Sequence, residues 1–142
     1  MTDILHKVLI KTTSDRVYTC LTAVGSLAGW WTSTTTGESA PGEALNFHFG
    51  EHVARMRVEA LEPNRRVVWR CTDASSEWID TLLTFELTEE QGGTLLRFGH
   101  RNWKEGSDFF AHCSMKWATF LLSLREFAET GKGRPYPHDV PV

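Results

Sequence analysis

Polar and apolar residues alternate from Ile4 to Lys11, which places Ile4, His6, Val8 and Ile10 on one face of a strand. Ser14-Asp15 then supplies a helix start ahead of Val17, Tyr18 and Leu21. Gly25 interrupts this segment, and Val24–Trp31 reads as a second short helix. The β-branched, polar run Thr32–Thr36 suits an edge strand, and Pro41-Gly42 marks a loop. From Ala44 to Trp103 the period is two. Gly50-Glu51 is a two-residue turn of the Gly-first kind, which sets Phe49 opposite His52, Phe47 opposite Ala54 and Leu45 opposite Met56. Pro63-Asn64 sets Ala60 opposite Val67, Val58 opposite Trp69 and Met56 opposite Cys71. A turn over Asp73–Glu77 leads to an inner face of Ile79, Leu83, Phe85 and Leu87. Gln91-Gly92-Gly93 returns the chain through Leu96, Phe98 and His100. The pattern is an antiparallel meander with one apolar face.

Gly106-Ser107-Asp108 opens a long helix expected over Ser107–Glu129, closed by Gly131 and Gly133. At 100° per residue, Phe109, Phe110, Cys113, Trp117, Phe120, Leu121, Leu124 and Phe127 fall within about 120° of arc. A helix of this length spans roughly 34 Å, about the length of a ten-residue strand, so one helix can lie along a curved sheet. Ala111, Met115, Ala118 and Leu122 form a second, narrower apolar strip on the opposite side, which suggests a contact with the short helices or with a second subunit, and a homodimer is expected.

Composition narrows the class. The chain has 142 residues, enough for one domain with its own core, and its 41% hydrophobic content is that of a globular protein. Fifteen Lys+Arg against eighteen Asp+Glu, with no basic cluster along the chain, argue against a nucleic-acid binder. No apolar run reaches the length of a membrane span, and the first residues lack a signal-peptide core, so a cytoplasmic protein is expected. Cys20, Cys71 and Cys113 are odd in number and widely spaced, which reads as buried thiols. Six Trp in so short a chain must fill a core or line a hollow.

The order strand, two short helices, meander, long helix resembles the helix-grip fold of the SRPBCC or START-like superfamily, an α+β fold. Several segments are similar to its branch related to the activator of the heat-shock-protein-90 ATPase. They are Trp30-Trp31, Val58-x-x-Leu61-Glu62-Pro63 with Arg66-Val67-Val68-Trp69, Thr84-Phe85-Glu86-Leu87, and Gly92-Gly93-Thr94-x-Leu96. His100 and the Trp117 helix complete the likeness, which extends over residues 1–142 as a single domain. The resemblance implies a curved sheet wrapped around the terminal helix and an internal cavity for a small apolar or amphipathic molecule. It implies no particular reaction. The chaperone-binding domain of the multidomain activators is absent from this sequence, so their function is not carried over.

The residues expected to line such a cavity are His6, Trp30, Trp31, Phe47, Phe49, Met56, Trp69, Leu83, Phe98, His100, Phe109, Cys113 and Trp117, with Trp103 also in its wall. His6 and His100 share the inward parity and are the candidates for proton transfer; the alternative is that both are core histidines satisfied by neighbours. His48 and His52 look like a metal pair, but the hairpin register places them on opposite faces, and no metal or cofactor is expected. His112 and Cys113 are adjacent on a helix and do not face each other. Nucleophile elbows, phosphate loops, dinucleotide fingerprints and zinc-protease motifs are lacking. Binding of a hydrophobic ligand without defined catalysis is therefore the leading expectation. A cyclase/dehydratase-like enzyme using the two histidines is the alternative. A chaperone-activator-like interaction module with Trp78 and Leu82 as an exposed patch is the third.

Overall fold

A computed structural model describes residues 1–142. The elements in chain order are β1 (Thr2–Ile10), α1 (Ser14–Thr22), α2 (Val24–Trp30), β2 (Thr35–Gly37), β3 (Ala44–Phe49), β4 (His52–Glu62), β5 (Arg66–Asp73), β6 (Leu82–Glu90), β7 (Gly93–Trp103) and α3 (Asp108–Thr130). All strands belong to one antiparallel sheet of order β1-β7-β6-β5-β4-β3-β2. The sheet is curved and does not close, and α3 lies in its concave side: this is the α+β helix-grip arrangement. No helix is long and apolar enough to cross a membrane.

The helix boundaries follow from local chemistry. Thr13 caps α1 by accepting from the Arg16 N–H. Ser107 caps α3 by accepting from the Phe110 N–H, and Gly131 ends it at φ 87°, a conformation glycine adopts without a Cβ penalty. The aromatic stripe of α3 faces the sheet, with Cys113, Trp117, Phe120, Leu121 and Leu124 buried. Against it the rings pack in series. Trp31 stacks on Trp69 at 6.1 Å and lies 4.9 Å from Trp117, which is 4.5 Å from Phe98; Phe98 meets Phe85 edge-on at 5.2 Å. Offset and edge-on pairs of this kind each add about 1 kcal/mol beyond area burial. The middle of the molecule is therefore filled by rings.

Three expectations are corrected. Ala60 faces Val68 rather than Val67, because a bulge at Glu59 inserts one residue into β4 after the Val58–Trp69 pair. The bulge turns Leu61 inward opposite Val67 and lets Glu59 accept from Arg70 Nε at 3.2 Å on the outer face. Ile79 does not continue the inner face. It lies in the connection between β5 and β6 and is 40% exposed. Asp80, at φ 69°, breaks the strand alternation there: its N–H donates to the Cys71 carbonyl while the Thr81 carbonyl accepts from the Cys71 N–H, and the regular register starts at Leu82. The edge strand is Thr35–Gly37, shorter and later than Thr32–Thr36, because Thr32 and Ser33 pair instead with Tyr136 of the returning tail.

That tail runs from Gly131 back along the molecule. The Arg134 N–H donates to Ser123 Oγ at 2.7 Å, and the Tyr136 N–H donates to the Trp31 carbonyl at 2.8 Å. The Tyr136 ring meets Phe49 at 5.3 Å. Further on, Lys116 Nζ donates to the Asp139 carboxylate and to the Val140 carbonyl.

Candidate functional site

Where the β3–β4 hairpin, the β5–β6 connection and the first half of α3 diverge, the ring packing gives way to a solvent-open cleft of about 860 Å³. Its floor is Trp31 and Trp117, both almost fully buried. Phe49, Val53 and Ala54 form the hairpin wall, Ala74 and Trp78 the connection wall, and Phe109, Cys113 and Phe120 the helix wall. Polar groups stand among them: Glu51 and His52 on the hairpin, Asp73 at the end of β5, Ser75 on the connection, His112 and Lys116 on the helix. An aromatic hollow of this size with a few polar groups has the form of a small-molecule site.

Of the residues expected in a cavity, Trp31, Phe49, Phe109, Cys113 and Trp117 border the cleft. Trp30, Phe47, Met56, Trp69, Leu83, Phe98 and Trp103 lie in the packed core, each at most 2% exposed, and do not border it. The hollow is thus an open cleft at one end of the helix rather than an internal chamber along its length. Trp78, Phe120, His112 and Lys116 join the wall from outside the expected set. His112 and Lys116 sit one turn apart at the polar margin of the aromatic stripe, which is the signal that could have found them.

Trp78 is the main displaced residue. It does not project outward with Leu82 as an exposed patch. Its ring is half-buried, perpendicular to His100 at 4.8 Å and stacked on Trp117 at 6.4 Å. Its indole N–H is buried and lies beside the Cys113 thiol without forming a hydrogen bond of good geometry. Ser107 holds this wall in place, since its hydroxyl donates to Glu77 Oε1 while its oxygen caps α3.

The two inward histidines are not brought together. His6 Nε2 donates to the Ser114 carbonyl at 3.0 Å, at the side of α3. His100 is fully buried and spans a polar relay. The Trp117 indole N–H donates to His100 Nδ1 at 3.1 Å. That fixes the Nε2–H tautomer, which donates to Thr81 Oγ1 at 2.8 Å, and Thr81 donates in turn to the Trp78 carbonyl. Burial pushes the His100 pKa down to about 3. Neither imidazole borders the cleft. His48 and His52 stand on opposite faces, as their strand partners Val53 and Phe49 require. The thiols are buried, and burial pushes Cys71 up to about 12 and Cys113 to about 11, so both are neutral and weakly nucleophilic at ordinary pH.

A curved antiparallel sheet gripping one terminal helix, with a cleft at the helix's N-terminal half, defines a helix-grip protein. Residues 11–129 match the family described as activator of Hsp90 ATPase homolog 1-like protein, and the chain belongs to that family. Among solved structures it is similar to the Aha1 dimer from Colwellia psychrerythraea, at 37% identity and a TM-score of 0.87, covering 94% of this chain and 100% of that one. CalU16 from Micromonospora echinospora shares the fold at 21% identity and a TM-score of 0.75, over 88% of this chain and 73% of that one. DynU16, from the dynemicin biosynthetic locus, does so at 21% identity and 0.74, over 92% and 48%. A comparison with curated protein sequences returns no match.

Proposed function

We propose that the protein binds a small hydrophobic or amphipathic molecule in the cleft between the β3–β4 hairpin and α3, without defined catalysis. The observation that carries this reading is the open, aromatic-walled hollow of about 860 Å³ beside an otherwise closed ring core. Its size is within the range of roughly 300–1,000 Å³ usual for ligand sites. Its floor residues Trp31 and Trp117 are held by neighbouring rings and need no rearrangement to receive a guest.

The test is a thermal-shift panel of aromatic and aliphatic amphiphiles, repeated on Ala74→Trp, which fills the connection wall. A guest at about 100 times its dissociation constant stabilises by about 2.7 kcal/mol. The wild type is expected to show this rise and the filled variant to lose it. A panel that moves neither melting temperature nor Trp fluorescence overturns the reading.

A cyclase- or dehydratase-like activity is the second reading, and the observation in its favour is that His52 and His112 stand on two walls of the same cleft. It would use these imidazoles, because both nitrogens of His100 are already engaged. The likeness to DynU16 supports the fold on which such chemistry would be built. As partner, a second copy of the chain is proposed: the 37%-identical relative is a dimer, and Met115 and Leu122 on the outer strip of α3 are 58% and 49% exposed.

A further inference from the structure

The cleft's own charges specify what kind of amphiphile it takes. From the hairpin, Glu51 and His52 face it; from the end of β5, Asp73; from α3, His112, Cys113 and Lys116. Lys116 is the one ammonium among them, and it is already committed. The Asp139 carboxylate and the Val140 carbonyl of the returning tail hold it, and its Nζ lies 5.1 Å from the centre of the Phe120 ring. The Asp139 side chain is 10% exposed, so this pair is partly shielded from solvent and screened less than a surface pair. Glu51 and Asp73 carry no ion pair and no side-chain hydrogen bond, and the Cys113 thiol is neutral. The charge left unpaired at the cleft is therefore negative, from Glu51 and Asp73 at its rim, and Glu77, bonded to Ser107, adds to it through its charge on Cys113. Phe49, Trp78 and Phe109, all half-buried, present ring surface beside them, and aromatic faces attract cations.

Resting on the ligand-binding reading above, we infer that the cleft selects amphiphiles bearing a positively charged group, such as an aryl or alkyl amine, over those bearing a carboxylate. The apolar body lies over Trp31 and Trp117, and the cation sits at the mouth between Glu51 and Asp73. The tail's Asp139 is the device that sets this preference, because it cancels the charge that would otherwise hold an anion.

The test is titration calorimetry with three probes of one shape, 2-naphthylmethylammonium, 2-naphthylmethanol and 2-naphthoate. It is run at about pH 8, where imidazole is ordinarily uncharged. At low salt the ammonium is expected to bind about 5-fold tighter than the alcohol, with the carboxylate weakest, and the margin is expected to shrink at roughly 0.3 M salt. The double variant Glu51→Gln/Asp73→Asn should abolish the ratio between ammonium and alcohol affinities, bringing it to about one. Asp139→Asn, which frees Lys116, should strengthen the carboxylate and weaken the ammonium. If the alcohol binds and the carboxylate equals or exceeds the ammonium, the charge preference is wrong while the cleft remains a binding site. If none of the three binds at millimolar concentration, the ligand-binding reading falls with it.

Discussion

His100 shows how one buried residue couples the core to pH. Its neutral form accepts from Trp117 and donates to Thr81, so adding a proton would set two N–H donors against each other at Nδ1. Above the unfolded value near 6.5, both folded and unfolded states are neutral and the group contributes nothing to pH dependence. As pH falls toward 3, the unfolded chain takes up the proton and the folded one does not, so stability is lost on acidification. The loss is at most about 1.4 kcal/mol per pH unit, with a ceiling of about 5 kcal/mol. His100→Gln retains a donor and an acceptor but has no such titration. Urea unfolding between pH 6.5 and 4 should show a shallower decline for the variant, and equal slopes would remove His100 as the cause. The inward direction of His100 was legible from strand parity. Its partners were not, since Thr81 and Trp117 reach it from a connection and a helix that parity does not place.

At the scale of elements, the start of α3 and the β5–β6 connection act as one unit. Ser107 caps the helix and also donates to Glu77, so its hydroxyl ties a cleft wall to the helix that faces it. Ser107→Ala should cost about 0.5–2 kcal/mol, the range for loss of an N-cap. It should also weaken binding of any cleft guest, because the wall carrying Trp78 loses its anchor. Ser107→Asp keeps an acceptor for the cap but sets a carboxylate against Glu77. It should preserve the helix start and still loosen the wall, which denaturation and ligand titration on the same variants would separate. The meander and the long helix were legible because their apolar periods run unbroken over many residues. The connection was not: Trp78 and Ile79 read as strand positions of opposite parity. The left-handed Asp80 breaks the alternation, so that Trp78 turns inward and Ile79 outward.

For the whole molecule, the strip Ala111, Met115, Ala118 and Leu122 remains on the outside of α3, with Ala111, Met115 and Leu122 exposed and Ala118 half-buried. It does not pack on α1 or α2 in the way one expectation allowed. A twofold contact through this strip would cover it. Sedimentation at micromolar concentration should give twice the 16.1 kDa mass of the chain, and Met115→Lys/Leu122→Lys should return it to one. A wild-type protein that sediments at the single-chain mass would exclude the dimer. The tail adds a second feature of whole-molecule scale. Through Tyr136 and Asp139 it joins Thr32 in the segment between α2 and β2, Phe49 and Lys116, so the charge of the cleft depends on residues more than twenty positions away in the chain.

The amino-acid order alone determined the succession of elements, the hairpin register at Gly50, the limits of the terminal helix and the family resemblance. Each of these is written in local periodicity and turn chemistry, which act over a few residues. The tertiary structure decided where the rings close the core and where they leave a cleft. It also decided which histidines are engaged and that Lys116 is spoken for by Asp139. Those outcomes depend on the curvature of the sheet and on volumes meeting across segments far apart in sequence, and no local pattern encodes how such surfaces fit.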